Sequence, residues 1–172
     1  MKDSILAAAI EVAARDGLNN WTVEEVANRA RCAKGLINYH YRSKQGLLVQ
    51  AARTVRDDRS ARRLSAVQTS GARALDRLWA ALVTEVESGW FAAWLAFIAS
   101  EGPLRSAAIR VPSDSRALAV ALARALDQGS EFAARGPELE AALDGVQLGL
   151  LQGTAPRLME EAYHRFWLGA LG

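Results

Sequence analysis

Apolar residues recur every three or four positions along almost all of these 172 residues, and no segment alternates apolar with polar in the two-residue period of a half-buried strand. A chain patterned this way has few choices, because each apolar stripe must be covered by another helix. Runs of Ala, Leu, Arg and Glu favour helix on intrinsic grounds as well. With 51% hydrophobic and 23% charged residues, the chain is neither disordered nor fibrous. Its length suits one sizeable core, or a small head on a larger body, rather than two independent enzyme domains.

The stripe Ile5, Leu6, Ala9, Ile10, Val12 and Ala13 predicts a first helix over 3–16, ended by Gly17. A second starts at Thr22, where Thr22 and Glu25 have the spacing of a capping box, and turns Val23, Val26, Ala27 and Ala30 inward. A third covers 33–41. Ser43 caps a fourth that runs to about residue 67, whose stretch from Arg53 to Arg63 mixes charges at helical spacing and reads as a solvated face. Further helices are expected over 72–88, 90–100, 104–109, 113–135, 137–152 and 155–171. Gly89, Gly102-Pro103, Pro112, Gly136-Pro137 and Gly153 separate them.

Charge is unevenly divided. Residues 1–63 hold 12 Lys and Arg against 7 Asp and Glu, a balance of +5, whereas the remainder holds 9 against 12, a balance of −3. A basic head on a mildly acidic body suits phosphate binding by one end. The first residues enter an amphipathic pattern carrying Asp3 and Glu11, unlike the apolar stretch of a signal peptide, and the single Cys32 cannot form an internal disulfide. A reducing, cytoplasmic setting is therefore expected. The longest apolar run, 90–99, has about half the ~20 residues of a membrane span and reads as a core helix, with no membrane partner. With only His40 and His164, no Cys-x-x-Cys, no His-Glu-x-x-His and no phosphate-cradling glycine loop, the chain offers no metal or cofactor site and no enzyme active site.

The segment from Thr22 to Leu48 carries the chemistry: a short helix, a tight turn, a second short helix and the capped start of a third. That arrangement projects one helix into a major groove while its neighbours rest on the backbone. On it, Leu36, Ile37 and Tyr41 anchor to the core, leaving Lys34, Asn38, Tyr39 and His40 outward. Lys34 suits a phosphate or guanine edge, Asn38 an adenine, and Gly35 lets the backbone approach closely. Tyr39 and His40 can donate to phosphate oxygens, and Lys44 adds a cation beside the free N–H groups of the following helix.

Thr22-Val23-Glu24-Glu25-Val26-Ala27, followed by Lys34-Gly35-Leu36-Ile37-Asn38-Tyr39-His40-Tyr41-Arg42-Ser43-Lys44-Gln45-Gly46-Leu47-Leu48, resembles the DNA-binding region of the TetR family. The likeness covers roughly the first third of the chain and fixes many residue types in order across two turns. It implies an all-α homodimeric repressor: a helix-turn-helix DNA-binding domain over 1–48, joined by a long helix to a ligand-binding and dimerisation domain over 49–172. It also implies that Thr22, Tyr39, His40 and Lys44 touch phosphates of double-stranded operator DNA and that Lys34, Gly35 and Asn38 lie near base edges. The last two helices would pair with those of a second copy, through stripes including Leu139, Leu143, Val146, Leu150, Leu158, Ala162 and Phe166. Arg31 departs from the family's usual turn glycine and Ala33 from its usual Ser or Thr cap, each at a cost of about 1 kcal/mol.

For the effector, an unidentified small molecule, the aromatic segment 90–97 offers Trp90 and Trp94 as candidate ligand contacts. The competing function is a ligand-independent helical DNA-binding protein.

Overall fold

The computed structural model describes residues 1–18 and 20–172. Among the described residues there are eleven helices and no strand: α1 (Lys2–Asp16), α2 (Val23–Arg29), α3 (Lys34–Tyr41), α4 (Lys44–Ala66), α5 (Ala72–Glu87), α6 (Trp90–Ile98), α7 (Gly102–Ala108), α8 (Pro112–Ala125), α9 (Ser130–Ala133), α10 (Gly136–Leu151) and α11 (Pro156–Leu171). The all-α expectation holds, and no single helix among the described residues is long and apolar enough to cross a membrane. Two compact units emerge, Met1–Asp58 with Ser88–Ile109, and Arg59–Glu87 with Arg110–Gly172.

In the first unit, α1 buries the six residues of its expected stripe together with Ala8. It rests on α6, which buries Phe91, Ala93, Trp94 and Phe97. The head thus borrows α6 and α7 from later in the chain, and physics favours the loan. A domain of about 60 residues buries only ~60% of its unfolded surface and is marginal alone. Hydrogen bonds tie the borrowed piece in: the Trp94 indole donates to the Ala108 carbonyl at 3.2 Å, and Arg56 of α4 donates to the Ala107 carbonyl at 3.0 Å.

The turn after α2 is where one departure from the family pattern has its effect. Cys32 N–H reaches back to the Ala27 carbonyl (2.9 Å) and Arg31 N–H to the Asn28 carbonyl (3.2 Å), closing a Schellman motif with Arg31 left-handed at φ 52°. The end of α10 makes the same two bonds, from Thr154 to Gly149 and from Gly153 to Leu150, with a glycine at the left-handed position. Arg31→Gly should accordingly stabilise the chain by about 1 kcal/mol, read as a higher urea midpoint; an unchanged or lower midpoint would mean that Arg31 is not strained.

The second unit is built on Leu78, Leu82, Leu118, Leu122, Leu139, Leu143, Tyr163 and Trp167, all buried. Gly136 lets α10 start against α8, since a Cβ there would lie 2.7 Å from the Ser115 carbonyl oxygen. The single helix expected over 113–135 is broken. Asp127 turns left-handed at φ 54°, Gln128 N–H closes onto the Ala123 carbonyl at 2.8 Å, and α9 starts afresh after Gly129.

Two further expectations are corrected here. Arg59 and Arg63 of α4 do not belong to a solvated face: they are 4% and 2% exposed and pair with Glu85 of α5 and Glu140 of α10. Gln147 knits this layer together, donating to Glu85 at 2.6 Å and accepting from Arg59 at 3.0 Å and Arg63 at 2.7 Å. Likewise, Leu139, Leu143 and Val146 face the protomer's own core, and Leu150 and Phe166 pack against it. The large apolar side chains left exposed on α10 and α11 are Leu148, Leu151, Leu158 and Leu168, the last at 75%.

Candidate nucleic-acid interface

Thr22 is extended (φ −119°, ψ 154°) and its hydroxyl accepts from Glu25 N–H at 3.1 Å, which starts α2 as the sequence predicts. The other half of the capping box takes a different partner: the Glu25 carboxylate receives Arg15 of α1 at 2.5 Å. α3 begins at Lys34 with Ala33 supplying no side-chain cap; instead Leu36 N–H closes onto the Ala33 carbonyl at 2.9 Å. Ser43 satisfies Gly46 N–H at 3.0 Å and opens α4.

This frame fixes what α3 presents. Ile37 and Tyr41 are buried, with the Tyr41 hydroxyl donating to the Lys2 carbonyl at 3.0 Å. Lys34, Gly35, Asn38 and Tyr39 are exposed, and His40 is half-buried. Gly35 has open space where a Cβ would stand. Tyr39 is 81% exposed, and its ring meets the edge of His40, at 5.2 Å between centroids. An aromatic side chain held out to that extent gains nothing from the core and leaves its hydroxyl open to solvent.

Lys34 lies 3.7 Å from Glu24 of α2, both side chains well exposed. Such a pair is worth about 0–1 kcal/mol, so the ammonium is only weakly held. Lys44 is more tightly engaged. Its Nζ donates to the Trp21 carbonyl at 2.6 Å and sits 4.5 Å from the centroid of the Trp21 ring. Thr22, Lys34, Gly35, Asn38, Tyr39 and His40 therefore lie on or beside the exposed side of α2 and α3, while Lys44 holds its charge against the loop that leads into α2.

The aromatic effector candidates are placed differently. Trp94 is buried in the first unit, its ring stacked on Phe91 at 5.7 Å with its N–H satisfied; Trp90 is half-buried at the start of α6. A cleft of 590 Å³ in the second unit, lined by Pro112, Arg116, Val120, Ser130 and Pro137 among others, includes neither. Among the described residues no group of His, Cys, Asp and Glu could hold a metal ion.

Residues 5–51 match the family model described as bacterial regulatory proteins, tetR family. The whole chain is similar in fold to solved structures that include transcriptional regulators. A transcriptional regulator from Rhodococcus sp. Rha1 is 27% identical with a TM-score of 0.71, over 95% of this chain and 91% of that one. The TetR family transcriptional regulator PfmR from Thermus thermophilus is 20% identical with a TM-score of 0.63, over 99% and 95%. The multidrug binding protein EbrR, solved in complex with imidazole, is 22% identical with a TM-score of 0.61, over 95% and 87%. No curated protein matches the sequence.

Proposed function

We propose that this chain, whose head and fold are those of the TetR family of transcriptional regulators, is a cytoplasmic homodimeric repressor that a small-molecule effector releases from a palindromic operator. The observation that carries the DNA half of this reading is the face of α3. Lys34, Gly35, Asn38 and Tyr39 stand exposed on one short helix while Ile37 and Tyr41 lock it to the core. In this reading residues 1–48 hold the DNA contacts, and residues 49–172 hold the effector site and the dimer contact through the last two helices.

Lys34 and Asn38 read base edges, with Gly35 allowing close approach; Thr22, Tyr39, His40 and Lys44 take phosphates. Two such helices in a dimer, about 34–36 Å apart, fit successive major grooves. An effector that prefers another separation lowers operator affinity, and operator DNA must lower effector affinity by the same factor. The binding of imidazole by EbrR supports an effector role for the body, with Trp90 and Trp94 as its candidate contacts.

Fluorescence anisotropy with labelled duplexes tests the assignments. Asn38→Ala and Lys34→Ala should each remove about 1–3 kcal/mol of preference for operator over random DNA. Lys44→Ala and His40→Ala should weaken both duplexes alike, and Lys44→Ala should lower the salt slope by about 1. Full selectivity in both α3 variants would refute the base-reading roles.

A further inference from the structure

Asp144 of α10 is surrounded by three guanidinium groups. Its Oδ1 accepts from Arg63 at 2.7 Å and from Arg59 at 3.1 Å, while Arg110 donates to Oδ2 at 2.9 Å and to Oδ1 at 3.2 Å. Burial by itself would raise this carboxyl, but Arg63, Arg59 and Arg110 outweigh it and hold Asp144 below the usual carboxylate range. Converging planar, charged donors are the means by which proteins hold a carboxylate.

The cluster has two depths. Arg59 with Glu85 and Arg63 with Glu140 form the inner pairs, whose side chains are 3–5% exposed. Asp144 and Arg110 form the rim, at 22% and 23% exposed, with Arg110 also 3.2 Å from Glu140. Three guanidinium groups face three carboxylates, so loss of Asp144 leaves one positive charge that a single anion restores. The Nε–H of Arg63 is buried and meets no acceptor, which leaves the centre a spare donor for one more oxygen.

We propose that Arg59, Arg63 and Arg110 form a carboxylate-binding centre whose ligands are small monocarboxylates, with Asp144 as the built-in occupant that such a ligand replaces. Its rim position allows Asp144 to turn outward while both inner pairs stay intact. The regulatory meaning of the centre rests on the reading of the body as effector-binding; carboxylate binding itself does not, and it is tested without DNA.

The test compares thermal unfolding of Asp144→Gly in sodium formate and in sodium chloride of equal ionic strength. In chloride the variant should lose about 10 °C relative to the unchanged chain. Formate should restore at least half of that loss, and adding Arg110→Ala should abolish the rescue. If Asp144→Gly is unfolded in chloride, formate should restore its helical circular dichroism. Equal behaviour in the two salts, folding in neither, or undiminished rescue without Arg110 would each overturn the proposal. A chain that shows formate rescue yet binds no DNA would refute the operator reading and leave the centre standing.

Discussion

Replacing both Leu148 and Leu168 with glutamate is expected to leave an 18.6 kDa monomer that binds a palindromic site at least about 100-fold more weakly than the unchanged chain. Both leucines lie exposed on α10 and α11. Charging them therefore costs the protomer little, since a surface substitution of this kind is usually worth within about 0.5 kcal/mol. In a dimer they would be buried, and two carboxylates per protomer forced into an apolar contact are costly unless paired. Under the proposed dimeric reading, separating the copies would remove the second α3 from the site, and with it the gain from simultaneous binding. Sedimentation equilibrium reads the mass, and anisotropy on one duplex reads the affinity. A variant that remains a dimer, or a monomer with undiminished affinity, would place the contact elsewhere.

Glu140→Ala should destabilise the second unit by about 3–5 kcal/mol, because it removes one of the two carboxylates paired with the buried Arg63 and leaves Asp144 and Gln147 to hold a guanidinium whose charge is no longer balanced. Replacing the pair together, Arg63→Met with Glu140→Leu, should recover most of that loss, since apolar side chains of similar volume avoid the desolvation of both charges. Urea unfolding followed by circular dichroism separates these outcomes. If the double variant is as unstable as the single one, the ionic layer contributes net stability rather than only tolerating its own burial.

The head was the legible part of the sequence, because its signals are local. Thr22 and Ser43 each cap an N–H group three residues on, in the first turn of the helix that follows, and Arg31 closes a turn whose partners are its near neighbours. The layer around Arg59 and Arg63 was not legible: its partners lie 26 to 88 residues away, and charges at helical spacing look alike whether they face water or each other. α10 misled for a related reason. It is apolar on two sides, and periodicity finds a stripe without saying whether the protomer or a second copy covers it. The break at Asp127 was hidden in a good helical pattern, since it depends on a left-handed non-glycine residue.

Selection of preferred duplexes from a random-sequence pool by the purified chain tests the central claim most directly. A dimer with one α3 in each of two successive major grooves should enrich an inverted repeat whose half-site centres lie about 34–36 Å apart. A pool that yields no enriched sequence, or one without two-fold symmetry, would contradict it.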